Sequence, residues 1–160
     1  YQRRHARVVD MDVLALQECA DSILRLRAEY LTSAGKSFGF SGMQFRAGSR
    51  DKFDGFLKRL FANKGTVHLD GEMKRPADRT LRPGDVLVFG GSPGHAVLVL
   101  DVAQRGTDRK MLIGNGYMPA QEFHVLRNPA GGAWFNEADL ATALRAPPPY
   151  KFDWSHHRRF

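Results

Sequence analysis

With 160 residues the chain is long enough for one domain with a real core and too short for two comfortable ones. Its composition, 42% apolar and 11% aromatic, is that of a globular protein, and no apolar run approaches the roughly 20 residues of a membrane span. The formal charge of +7 suits an anionic partner, but the chain has no zinc-finger spacing, RNP-like string or phosphate loop, which argues against nucleic acid; one cysteine, Cys19, excludes an internal disulfide.

Much of the charge lies in "RRHAR" at the start and "HHRRF" at the end, so residues 1–8 and 153–160 read as solvated tails of a single domain. The opening on Tyr1 without a signal-peptide pattern reads as a trimmed or mature form. From Asp12 to about Leu31, good helix formers with apolar residues at Val13, Leu16, Ala20, Ile23, Leu24 and Leu31 predict the longest helix, capped by Asp12. "KSFGFSGMQFRAGSR" predicts an irregular or short-stranded segment. A second helix follows from Asp51 to about Ala62, with Phe53, Phe56, Leu57, Leu60 and Phe61 as its core face.

"GTVHLDGEM" reads as extended and "KRPADRTLRPGD" as a polar loop. Strands are then expected at Val86–Phe89, Ala96–Val102, Lys110–Ile113 and Glu122–Leu126, with Gly106 in the turn between the second and third. "NPAGGAW" predicts a loop, "NEADLATAL" a short helix capped by Asn136, and "RAPPPYKFDW" an extended tail. Helices followed by an antiparallel meander make an α+β fold in which the leading helix packs on the sheet.

Two residue sets invite chemistry. Gly90-Gly91-Ser92-Pro93-Gly94 fits the G-x-S-x-G pattern of serine hydrolases, but the residue after Ser92 is a proline without an N–H, and a strand rather than a helix follows. The pattern is therefore a tight loop. His95, in contrast, opens a strand whose next residues are all apolar, and a hairpin turning near Gly106 pairs residues whose numbers sum to roughly 210–212. That sets Asn115 opposite or diagonal to His95 on the same face, able to accept the ring's Nδ1–H and orient it.

The only available thiol is Cys19, on the helix expected to pack against this sheet. Its alternatives are a nucleophile or a small buried hydrophobe. In a continuous helix from Asp12 it lies well inside, away from the N-terminal dipole, and Gln17 stands about 200° around from it, a poor oxyanion donor. Tyr117 can bond a substrate carbonyl. Asp21 and Arg25, one turn apart, can also line the site, with Arg25 pairing either a substrate carboxylate or Asp21 itself. The histidines and the cysteine show no ligand spacing, so neither a metal nor another cofactor is expected.

"RPGDVLVFGGSPGHAVLVLDVA" resembles the histidine block of NlpC-type and CHAP-type cysteine peptidases and amidases, papain-like enzymes in which a cysteine-bearing helix precedes the histidine and a polar third residue. Cys19, His95 and Asn115 occur in that order, although Cys19 follows a glutamate inside a predicted helix, whereas the NlpC-type cysteine begins one. More narrowly, "LQECADSILRLRAEYL", "PGHAVLVLDVA" and "GYMPAQEFHVLRNP" resemble a bacterial family known as domain of unknown function 4846, over about Val9 to Phe152. The resemblance implies a papain-like α+β domain with Cys19 as nucleophile, His95 as base and Asn115 as orienter, cleaving an amide in peptidoglycan or another anionic envelope polymer, in a periplasmic or secreted setting. A non-catalytic envelope module on the same scaffold is the alternative, and acyl transfer or a toxin-type hydrolase would use the same residues.

Overall fold

A computed structural model describes residues 5–9, 14, 16–145 and 149–160. The elements in chain order are β1 (His5–Val9), α1 (Cys19–Ser33), β2 (Phe38–Phe40), β3 (Met43–Phe45), α2 (Arg50–Asn63), α3 (Thr66–Glu72), β4 (Val86–Phe89), β5 (His95–Arg105), β6 (Asp108–Asn115), β7 (Phe123–Leu126), β8 (Trp134–Asn136), β9 (Leu144–Arg145), β10 (Lys151–Phe152) and β11 (His157–Arg158). Short 3-10 turns cover Glu137–Ala141 and Trp154–His156. The fold is α+β. No helix among the described residues is long and apolar enough to cross a membrane.

The main sheet has the order β1-β7-β6-β5-β4-β11, antiparallel throughout, with β8 added beside β6. Both of its faces are buried. Val86, Val88 and Ala96 point to one side, into a core made by α1, α2, α3 and the β2–β3 hairpin; Leu87, Val97, Val99, Met111 and Ile113 point to the other, into a second core closed by Leu140, Leu144 and Phe152. Period-two alternation with both parities apolar produces this. The expected single helix-on-sheet core is thus only half of the interior.

Three predicted elements are corrected. The leading helix starts at Cys19, not Asp12: Leu16 has a left-handed backbone (φ 69), which a helix interior does not admit, and Glu18 is the N-cap. The predicted cap Asp12 lies outside the described residues. "GTVHLDGEM" is helical as α3, because Gly65 opens a helical turn in which its own N–H meets His68 Nδ1 (3.2 Å), and burial of Leu69 outweighs the β-branched Thr66 and Val67. Asn136 ends β8 and makes no side-chain cap; the short helix after it is a 3-10 turn.

The basic chain end, expected as a solvated tail, is built into the sheet. His157 and Arg158 pair with Leu87 and Val86, both are buried, and Phe160 packs edge-on against Phe40 beneath the guanidinium of Arg27. At the other end, residues 5–9 form an edge strand on β7.

The β4–β5 connection, Gly90 to Gly94, is pinned from the side by Thr66, whose hydroxyl donates to the Gly91 carbonyl (3.1 Å). Gly94 admits no side chain: an added Cβ would fall 2.7 Å from the carbonyl oxygens of both Gly91 and Phe89, and closer to the Thr66 hydroxyl. Gly94→Ala is therefore expected to cost about 1–3 kcal/mol of overpacking, seen in urea denaturation as a lower midpoint with an unchanged slope.

Candidate functional site

Cys19 is the first residue of α1, so it has the helix start that the continuous-helix prediction denied it. At this end of the sheet β6 gives way to Gly116, where a Cβ would lie 2.9 Å from the Glu18 carbonyl and closer to the Ser22 hydroxyl. Glycine at 116 is what lets the strand end approach the first turn of α1. The amides of Ala96, on β5, and Ala20 lie on the side of the sulfur and favour its thiolate, but burial dominates and pushes the thiol up to about 11; Asp21 and Glu18 push in the same direction as burial. Cys19 is 9% exposed.

One residue before Ala96, His95 is 1% exposed, and burial pushes its imidazole down to about 4. It shares the face of Val97 and Val99. Its ring is stacked on Tyr150 (centroids 4.9 Å apart, 24° between planes) and meets Tyr117 edge-on at 5.3 Å. The β5–β6 register places Leu98 opposite Gly114 and Val99 opposite Ile113, at one end of the expected range; continued toward the site, it sets Tyr117 opposite His95 and Asn115 diagonal to it. Asn115 is buried and faces His124 across β7. Its Nδ2 donates to the Gly116 carbonyl (2.5 Å), which turns Oδ1 the other way.

Of the expected Cys-His-Asn set, His95 and Asn115 share the Val97–Val99 face of the sheet, while Cys19 opens α1, which covers the Ala96 face, and reaches β5 through the Ala96 amide; no hydrogen bond links the three. His95 Nε2 and Asn115 Oδ1 are each buried without a partner. Gln17 Nε2 and the Ser22 hydroxyl are in the same condition. Each orphaned polar group costs about 1–3 kcal/mol; Gln17 and Ser22 lie at the start of α1, and His95 and Asn115 on one face of the sheet.

The cysteine lies in a cleft of about 690 Å³ walled by Leu16, by Glu18 to Asp21, by the α2–α3 junction from Phe61 to His68, by Gly91–Gly94 and by Met118; His95 and Asn115 are not among its walls. Of the secondary candidates, Asp21 lines this cleft. Tyr117 does not; it walls the His95 ring. Arg25, expected to pair with Asp21 or a substrate carboxylate, is buried, donates to Gln17 Oε1 (2.6 Å) and Glu29 Oε1 (3.0 Å), and does not line the cleft. Because the helix is not continuous through Gln17, the 200° argument against that residue lapses. With its Oε1 held by Arg25, Gln17 presents an unpartnered Nε2 in the segment just before the cysteine. Ser92 sits on the cleft wall in a turn that runs into a strand, without the helix a nucleophile elbow needs.

The α2–α3 wall escaped the sequence reading because α3 was expected to be extended. Gly65 followed at three residues by a histidine able to accept its N–H was the available signal.

Residues 34–159 match the family described as Domain of unknown function (4846). The chain belongs to this family. The matched span begins after α1 and takes in His95, Asn115 and Tyr117, while Cys19 and Asp21 precede it. No curated protein and no solved structure matches the chain.

Proposed function

We propose that this member of the domain of unknown function 4846 family is a cysteine-dependent amide hydrolase on a papain-like scaffold of the NlpC and CHAP kind, acting on peptidoglycan or another cell-envelope polymer in a periplasmic or secreted setting. The observation that carries the reading is the pair of buried, unpartnered atoms His95 Nε2 and Asn115 Oδ1 on one sheet face, with the amide of Ala96, the residue after His95, turned to the Cys19 sulfur. An asparagine oxygen with a free lone pair is what an imidazole N–H needs to fix its tautomer. The nitrogen it would hold is Nε2, which leaves Nδ1 for the thiol, the reverse of the tautomer expected from sequence. Hydrogen bonds of this kind commonly tighten only when substrate is bound.

In this scheme the Cys19 sulfur adds to the amide carbonyl while His95 takes the thiol proton. The imidazolium returns that proton to the leaving amine as the C–N bond breaks, giving a thioester. Water then attacks the thioester with His95 accepting its proton, the acid is released and the thiol is restored. The backbone N–H groups of the first turn of α1, whose residues line the cleft, would be the donors for the developing oxyanion.

A second reading is a non-catalytic binding module, and it is favoured by the same resting state: a thiol held at about 11 beside an imidazole held at about 4 is a neutral pair with no thiolate prepared in advance. Labelling the native protein with iodoacetamide across pH separates the two. The hydrolase reading expects Cys19 to react in the folded chain with a plateau reached near neutral pH, where His95 is an unprotonated base. A thiol that reacts only as the pH approaches 11, or only after unfolding, leaves the binding module.

A further inference from the structure

Asp21 is 5% exposed, lies two residues after Cys19 and lines the same cleft. One carboxyl oxygen, Oδ2, accepts the Glu18 N–H (2.9 Å); the other, Oδ1, is buried with no partner. The first turn of a helix ordinarily favours a carboxylate. Here burial, seconded by repulsion from Glu18, pushes the group up to about 7 despite the Glu18 amide. Glu18 also lines the cleft, so two carboxyl groups flank the cysteine, while the cationic and titratable groups of the cleft, Lys64 and His68, belong to the α2–α3 wall. A ligand cation against Oδ1 would supply the missing partner and relieve both influences that hold the proton on Asp21.

We infer that Asp21, with Glu18 beside it, is a cation subsite that takes a primary ammonium group of the substrate close to the carbonyl Cys19 would attack. The inference deepens the hydrolase reading by naming a substrate class, amides that carry a free amine near the cleaved bond, and rests on that reading for the word substrate; the subsite itself is tested without it. The competing possibility is that a protonated Asp21 donates to a neutral carbonyl.

The test follows the Asp21 carboxyl carbon by NMR in the full, isotopically labelled chain, titrated with pH in the presence of glycinamide, a small primary ammonium, and separately with uncharged acetamide. Glycinamide is expected to move the Asp21 midpoint down from about 7 toward the ordinary carboxylate range, and acetamide to leave it in place. A midpoint unmoved by glycinamide, or raised by acetamide as hydrogen bonding to the acid form would raise it, overturns the subsite. As a second measurement, Cys19 is modified with cationic trimethylammonioethyl and anionic sulfonatoethyl methanethiosulfonate. The cation-to-anion rate ratio is expected to fall about tenfold in Asp21→Asn, which keeps a donor and loses the charge, and an unchanged ratio counts against the subsite. If Cys19 resists every reagent, the hydrolase reading fails while the carboxyl titration still decides the cation subsite.

Discussion

Asp85→Ala is expected to cost about 3–5 kcal/mol and to lower the melting temperature by roughly 10 °C or more. Asp85 is 1% exposed and anchors the end of the chain to the start of the sheet. Its Oδ1 accepts from Arg159 Nε (2.7 Å), and its Oδ2 accepts from Arg159 Nη2 (2.7 Å), His157 Nε2 (2.8 Å) and the Arg82 amide (2.9 Å). Removing the carboxylate leaves a fully buried imidazole and a partly buried guanidinium facing an apolar methyl, and uncompensated buried donors set the size of the loss. Asp85→Asn keeps the volume and one acceptor, so it is expected to lose less. Thermal melts of the two variants give the comparison; a loss below about 1 kcal/mol in Asp85→Ala would show the docked end to be held by the β4–β11 pairing and Phe160 alone.

The same carboxylate sets the acid limb of stability. Burial by itself would raise its pKa, but the bonds from Arg159, His157 and the Arg82 amide outweigh burial and hold it below the ordinary value of 3.8. A depressed acid contributes stability that is complete above its unfolded value and is lost as the pH falls through the folded one, so this term fails below about pH 4. Above that, two groups of the cleft region run in opposite senses. Neutral burial of His95 favours the fold more as pH rises from about 4 to 6.5, whereas Asp21 carries a proton in the fold that it would lose in the unfolded chain, so its contribution wanes as pH rises from 3.8 to about 7. The two largely offset each other, and the steep acid transition belongs to Asp85.

What could be read from the sequence follows the range of the forces involved. β4 lies at its predicted residues, and α2 differs by one residue at each end, because alternation and the phenylalanine stripe are local. The start of α1 was missed because residues 13–17 carry good helix propensity, while the left-handed Leu16 is imposed by the turn that buries Gln17. The chain end was misread for a different reason. Histidine and arginine in a terminal run look solvated until their partners appear, and Asp70 and Asp85, which receive Arg158, His157 and Arg159, are separated from them by 72 to 88 positions. At the candidate site, the hairpin register that sets Asn115 diagonal to His95 could be read from the sequence, because it follows from the turn at Gly106. The unpartnered oxygen of Asp21 and the Arg25–Gln17 bond could not, since both depend on where the helix begins.

His95→Gln is the substitution with the largest expected effect on chemistry. A thiol at about 11 is, at pH 7, ionised in only roughly one molecule in ten thousand, so reactivity at neutral pH requires a base at the sulfur rather than a thiolate in waiting. His95 is suited to that task in one respect: with its imidazole held at about 4, it is unprotonated across the physiological range and available to accept. Glutamine keeps much of the bulk that Tyr150 and Tyr117 enclose and lacks a basic nitrogen, so the fold survives and the base is lost. Loss of a general base of this kind is worth about 10²- to 10⁴-fold, and that fall is expected in the rate at which iodoacetamide labels Cys19 in the folded chain at pH 7, read by mass spectrometry of the modified peptide. Asn115→Ala, which removes the oxygen proposed to orient the ring but leaves the imidazole, is expected to fall by less, and its loss should be larger at pH 7 than near pH 11, where the thiolate needs no base. Equal labelling rates in the wild-type and His95→Gln chains would mean that solvent hydroxide alone activates the sulfur, and Cys19 would then be a packed residue of a binding cleft.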